Sequence, residues 1–195
     1  MTNVVDARGL DCPQPVLATK KALESIEQGV VRVIVDNPVS RDNVKRFAES
    51  RGCQTMVEEK LEEFHLEIVK GDSAKTEQKR ENPNGEEVVV ICTDVLGTGE
   101  RELGEILMMA FIKTLMEVEP IPAKLIFMNA GVRLTTEGSE VLNPLKALEE
   151  KGVRIFSCGT CLDYYNLKDK LKIGVATNMY DTVQYLMAAG KVIGL

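Results

Sequence analysis

The chain has 195 residues, of which 44% are hydrophobic and 28% charged, with a formal net charge of −6. That is enough apolar material for real cores in two small domains or one of ordinary size. The acidic balance offers no basic excess to release counterions from phosphates, which argues against nucleic acid as a partner. No apolar run approaches the length of a bilayer span, and the N-terminus lacks the basic and apolar regions of a signal peptide, so the reading is a soluble, cytoplasmic protein without a membrane partner.

Val4 and Val5 read as a short strand, Arg8-Gly9 as a turn, and Pro13 to about Ile26 as an amphipathic helix. Cys12 then falls at the N-cap and Pro13 at the first helical position, where its missing N–H costs nothing. Unpaired amides and the helix dipole present positive charge to the Cys12 sulfur, with Arg8 a few residues upstream, a setting that favours the thiolate. The plainer alternative is a small residue tolerated beside a loop. Val30 to Asp36 is a β-branched run read as a strand closed by Asn37-Pro38. Ser40 is read as the cap of a second helix reaching about Arg51, with Val44, Phe47 and Ala48 as its apolar stripe and Gly52 as its stop. Cys53–Glu59 and Leu61–Lys70 read as two further strands, which makes the order βαβαββ, with Cys53 in the core. From Gly71 to about Glu86 almost nothing is apolar, and the stretch reads as a polar linker.

The second half has another rhythm. Val88–Cys92 is a continuous apolar strand of the kind buried on both faces of a parallel sheet. A helix is expected from about Glu102 to Val118, with Leu103, Ile106, Leu107, Ala110, Phe111, Thr114 and Leu115 at helical spacing and Pro120 and Pro122 as its stop. Ala123–Asn129, Val153–Ser157, Lys172–Ala176 and Lys191–Gly194 read as strands, with a polar loop over 130–137 and helices over 138–151 and 179–189. Such alternation predicts a mostly parallel sheet flanked by helices, with functional loops at the carboxyl ends of its strands. Gly97-x-Gly99 lacks the third glycine of a dinucleotide loop, because position 102 is Glu, and no Walker sequence is present, so no nucleotide cofactor is expected.

Five cysteines, Cys12, Cys53, Cys92, Cys158 and Cys161, form an odd, scattered set, unlike the even framework of a secreted disulfide fold. The single histidine, His65, lies in a strand-like stretch with no visible tie to any cysteine, which disfavours Cys-His hydrolysis. Cys158-Gly-Thr-Cys161 follows directly on a strand and enters a helical turn. Three readings compete for it. It is half of a zinc site, though no second ligand pair exists; a thioredoxin-like dithiol, though such a motif follows an early βαβ pattern; or the pair that a family resemblance implies. Cys92 ends the first strand of this half and reads as a buried core residue. Arg133, in the polar loop, is a candidate contact for an anion or a persulfide, against the alternative of a solvent-facing arginine.

The string Asp6-Ala-Arg-Gly-Leu-Asp-Cys12-Pro-Gln-Pro-Val16 resembles the signature of the TusA/SirA family of small sulfur carriers. The stretches Phe127–Arg133, Thr136–Ser139, Cys158–Tyr165 and Thr177–Asp181 resemble DsrE/DsrF-like domains. The two in series are similar to the arrangement of the YedF proteins, described as sulfurtransferase-like and linked to selenium metabolism. The resemblance implies a two-layer α/β sandwich over residues 1–70, a linker over 71–86 and a DsrE-like α/β domain over 87–195. It further implies a sulfur relay in which Cys12 carries a persulfide and Cys158 or Cys161 handles sulfur in turn, without metal or organic cofactor. Expected partners are sulfur donor and acceptor proteins, such as a cysteine desulfurase or other carriers, and further copies of the chain in a homo-oligomer. The rival readings are a regulatory or scaffolding module with sensing or structural cysteines, and a CxxC thiol–disulfide oxidoreductase.

Overall fold

The computed structural model describes residues 3–10, 13–60, 63–71 and 85–195. Cys12 and most of the expected linker, 72–84, lie outside the described residues. The fold is mixed α/β and falls into two compact units, one with the first four strands and one with the last five.

The first unit runs β1 (Asn3–Asp6), α1 (Gln14–Glu24), β2 (Gly29–Val35), α2 (Pro38–Ser50), β3 (Gln54–Lys60) and β4 (Glu63–Lys70). Its sheet order is β1-β2-β4-β3, with β1 parallel to β2 and the other pairs antiparallel. The side-chain period of two sends Val31, Val33, Val35, Phe64, Leu66 and Ile68 to one face, against Val16 and Leu23 of α1 and Val44 and Phe47 of α2. Burying each of these large side chains contributes roughly 1.5–3 kcal/mol.

Two helix starts differ from expectation. In α1 the first i→i−4 bond runs from the Leu17 amide to the Pro13 carbonyl, so Pro13 is the N-cap and Cys12 precedes it by one. In α2 the side chain of Asn37, not Ser40, is the cap: its Oδ1 accepts from the Ser40 amide at 2.8 Å, and Pro38 opens the helix. Asn37-Pro38 thus begins a helix as much as it ends a strand, since proline suits the first helical position.

The second unit runs β5 (Glu86–Ile91), α3 (Arg101–Thr114), β6 (Lys124–Phe127), a 3-10 helix (Asn129–Thr135), α4 (Leu142–Glu150), β7 (Arg154–Cys158), α5 (Gly159–Tyr164), a 3-10 turn (Lys168–Lys170), β8 (Val175–Thr177), α6 (Met179–Met187) and β9 (Ala189–Gly194). The order β8-β7-β6-β5-β9 is parallel throughout. Both faces are covered: Val89, Ile91, Leu125, Phe127 and Ile155 meet Met108, Ile112, Leu145 and Leu148, while Val88, Val90, Ile126 and Phe156 meet Tyr185 and Leu186 of α6.

The helix α3 ends at Thr114, short of Val118, because the amides of Met116 and Glu117 turn to carbonyls three residues back and tighten the chain out of the helix. It also buries another face than the expected stripe. Gly104, Met108 and Ile112 point inward, and Leu103, Ile106 and Leu107 are exposed. The reason is Gly104, whose carbonyl accepts from the Leu96 amide at 2.9 Å; a Cβ there would stand 2.9 Å from that of Val95. The helix α4 starts only at Leu142, which leaves Pro144 in a first turn where no amide donor is needed. The expected loop over 130–137 is largely the 3-10 helix, pressed so closely on β5 that a Cβ on Gly131 would lie 2.2 Å from the Ile91 carbonyl oxygen.

Candidate functional site

In the first unit the signature residues organise a turn at the carboxyl ends of β1 and β2. Arg8 places Nε 2.9 Å from Oδ1 and Nη2 2.6 Å from Oδ2 of Asp6, and Nη1 2.6 Å from Oε1 of Glu63. Gly9 takes a left-handed φ of 67° and donates its amide to Asp36 Oδ2 at 2.6 Å. The Arg8 side chain holds Asp6 down to about 2, and the Gly9 amide holds Asp36 below the usual carboxylate range. Arg8 is the sequence's candidate support for the Cys12 thiolate, and Cys12 lies outside the described residues. Its three guanidinium nitrogens are on carboxylates, so what it does among the described residues is fix the turn that leads to Cys12. Pro13 caps the helix by its backbone alone.

In the second unit β7 delivers Cys158 to the sheet's carboxyl edge as the N-cap of α5, 4% exposed, and Cys161 follows one turn later, half-buried. Leu162, wholly buried, anchors this short helix in the core. The 3-10 helix after β6 brings Asn129 alongside, and its backbone amide donates to Cys161 Sγ at 3.1 Å. Asn129 has a left-handed φ of 45°, a conformation asparagine tolerates better than most residues, and its Oδ1 accepts from the Tyr165 hydroxyl at 2.8 Å. Behind the 3-10 helix the hydroxyls of Thr135 and Ser157 share a buried hydrogen bond of 2.8 Å, which ties it to β7.

The same Tyr165 ring carries the Arg133 guanidinium 4.7 Å above its centre, and Arg133 donates to Asp94 Oδ2 at 3.1 Å. Arg101 donates to that oxygen at 2.9 Å. Burial opposes ionisation of Asp94, but the hydrogen bonds from Arg101 and Arg133 outweigh it and keep the carboxyl below its usual range. These residues line an open cavity of about 530 Å³ whose apolar side is Met108, Leu134 and Leu167.

The two thiols are within hydrogen-bonding contact of each other. The hydrogen bond to Cys158, burial and the neighbouring charge of Cys158 push the Cys161 thiol up, and the Asn129 amide pulls the other way. A place near a helix start ordinarily favours the thiolate, but for Cys161 the reverse holds, because two sulfurs in contact cannot both be charged at low cost. Cys92 is exposed rather than a core residue, since it stands one position past the end of β5, and it too acts on Cys161 electrostatically. Cys53 is buried, which pushes its thiol up. Among the described residues no group of three or more His, Cys, Asp and Glu side chains is placed to hold a metal ion, and no helix is long and apolar enough to cross a membrane.

Residues 3–70 match the family described as Sulfurtransferase TusA, and residues 88–194 the DsrE/DsrF-like family. The sulfur carrier protein TusA of Allochromatium vinosum is 41% identical over 69 residues, 34% of this chain and 90% of that protein. The chain belongs to the TusA and DsrE/DsrF-like families. Its TusA segment is also similar to the crystal structure of a SirA-like protein from Desulfitobacterium hafniense, with 42% identity, a TM-score of 0.35, and coverage of 36% of this chain and 99% of that one. The ychN protein from E. coli is 19% identical with a TM-score of 0.45, over 56% of this chain and 99% of that one.

Of the residues singled out in the DsrE-like unit, the structure brings Cys158 and Cys161 together. It sets Arg133 one ring away, on Tyr165 instead of on a sulfur. Asn129 and Tyr165 escaped the sequence reading. A signal was there: Tyr165 stands four residues after Cys161, hence on the same helical face, and Asn129 directly follows the apolar run Leu125–Met128, where a left-handed residue turns the chain.

Proposed function

We propose that the chain carries sulfane sulfur as a cysteine persulfide and passes it between protein thiols. The observation that carries this reading is the contact of Cys158 and Cys161 at the carboxyl edge of a parallel sheet, one thiol sealed and the other half-open. In the receiving step the Cys161 thiolate attacks the outer sulfur of a donor persulfide, R–S–SH. The donor S–S bond breaks, R–S⁻ leaves with the bonding pair, and Cys161–S–SH remains, with no net oxidation. Cys158 then either takes the outer sulfur or attacks the inner one, which closes a disulfide and expels hydrosulfide; reopening that disulfide consumes an external dithiol. Cys12 is the carrier thiol of the TusA segment, in keeping with the sulfur carrier it resembles, with Arg8 and Pro13 as the residues that support its thiolate.

The working units of the relay are 1–70 and 87–195, joined by the polar stretch 71–86. The partners are donor and acceptor proteins, a cysteine desulfurase among them, in a reducing cytoplasm that keeps the thiols free. Selenium travels by the same chemistry as a perselenide. Self-association is supported by the exposed Leu103, Ile106 and Leu107 of α3. The closeness of Cys158 to Cys161 also favours a second reading, thiol–disulfide exchange with protein substrates.

The test is intact mass and peptide mapping after the reduced protein meets a persulfide donor. The relay predicts a thiol-reversible gain of roughly 32 Da, one sulfur, on Cys12 and on Cys161. Disulfide closure without any gain in mass, unaffected by Cys12→Ser, would replace the relay by the exchange reading.

A further inference from the structure

The resting site raises a question about charge. Cys161 must become anionic to attack a donor and again when it is released as a leaving group, yet burial and Cys158 oppose that charge. The titratable groups around it are Cys158 beside it, Cys92 past the end of β5, and Tyr165 on α5's own side, with Arg133 and then Asp94 beyond the ring. Asp163, on α5, faces Lys168 at 3.7 Å. None of these puts a cationic atom on the sulfur. What does reach it is the Asn129 amide, at 3.1 Å, short for a donor to sulfur.

Resting on the sulfur-transfer reading, we propose that Asn129 supplies, through its backbone N–H, the hydrogen bond that lets negative charge sit on Cys161, and that Tyr165 is the positioning residue that holds this amide in place through the Asn129 side chain. The chain of contacts is continuous. Tyr165 and Cys161 lie four residues apart on one helical face, so the ring and the sulfur move together. The hydroxyl grips Oδ1 at 2.8 Å, and this fixes the left-handed backbone that aims the amide. Asparagine suits the position for two reasons at once, because it accepts that φ and offers an acceptor two atoms from the backbone. A glycine would keep the φ and lose the grip. Hydrogen bonds to an ionised group lower its pKa, and in a partly buried setting the effect is larger than in water.

The experiment measures the rate of alkylation at Cys161 by iodoacetamide against pH, read by peptide mass, in the full-length chain. A Cys158→Ser background removes the coupled titration. Tyr165→Phe keeps the ring under Arg133 and deletes only the hydroxyl. Asn129→Gly keeps the left-handed backbone and the N–H but removes the acceptor. Each single change is expected to raise the midpoint by about one pH unit, roughly a tenfold loss of thiolate at neutral pH, and the double variant is expected to shift no further than either one. A Tyr165→Phe profile that superimposes on its parent overturns the proposal, as does a double variant in which the two shifts add, since Tyr165 would then act by another route. No sulfur donor enters the measurement. The result therefore stands apart from whether the protein accepts persulfide sulfur, which the mass experiment decides.

Discussion

Asp6 grips Arg8 through two parallel hydrogen bonds, 2.9 Å from Nε and 2.6 Å from Nη2, two residues apart at the end of β1. The pair explains why this signature joins an acid to an arginine across one intervening residue: the fork closes on itself and leaves Nη1 to reach Glu63 on β4.

The fork predicts an acid dependence. Asp6 has its carboxyl pKa lowered from 3.8 to about 2 in the folded protein. A depressed folded value means the unfolded chain binds the proton more readily, so the contribution is complete above the unfolded value and disappears as pH falls through the folded one. Unfolding midpoints in urea between pH 5 and pH 2 should therefore fall less steeply for Asp6→Asn than for the parent. Both side chains are about half exposed, so the difference should shrink in high salt.

Thiol accessibility gives a ranking. Under limiting alkylating reagent Cys92 should label ahead of Cys158 and Cys53, which are 4% and 8% exposed and should react mainly on unfolding. Labelling of Cys158 as fast as Cys92 in the native protein would contradict the sealed position on which the two-thiol scheme depends.

Gly131→Ala should disturb the thiol site from a distance. The added methyl meets the Ile91 carbonyl oxygen at 2.2 Å, between two backbones that cannot yield cheaply. The expected cost is roughly 1–3 kcal/mol in denaturant unfolding, in the range of overpacked cores. The 3-10 helix that carries Asn129 should shift with it, and Cys161 should ionise at higher pH.

At Asn129 the backbone itself is testable. Asn129→Ala loses the Tyr165 contact and places a side chain of no special tolerance at a φ of 45°, so it should destabilise by about 1 kcal/mol. Asn129→Gly should cost less. Equal urea midpoints for the alanine and glycine variants would show that the left-handed conformation relaxes freely.

The exposed Leu103, Ile106 and Leu107 of α3 make a last prediction, on assembly. If that face joins copies of the chain, Ile106→Glu should lower the mass seen by light scattering and leave circular dichroism unchanged. An unchanged mass, for parent and variant both, would leave the face without this role.

Much of this architecture was legible from periodicity. β-branched runs such as Val30–Val35 and Val88–Ile91 found their strands because a fully buried strand has little else to look like. Where the reading slipped, a tertiary contact had overruled a local pattern. Leu103 and Ile106 kept perfect helical spacing, yet Gly104 alone allowed close approach to Val95 and turned α3 the other way. Cys92 looked interior by its neighbours, but it stands just past the last strand residue. In the site, the CxxC spacing announced Cys158 and Cys161, whereas the Asn129 amide is a backbone group, and backbone groups leave no mark in composition. Only a turn at the end of β6 brings it to the sulfur.

The pairing of β9 with β5, Val192 beside Val88, joins the first strand of the second sheet to the last. Each neighbour in this sheet is reached by a crossover, and this one spans nearly the whole unit, whereas β3 and β4 of the first sheet are close in sequence, with Lys60 opposite Glu63. Contacts so far apart in sequence pay their loop-closure entropy late. The second unit should accordingly be the slow-folding half, and until β9 docks, β5 presents an unsatisfied apolar edge, the sort of transient surface on which newly made chains aggregate or engage chaperones.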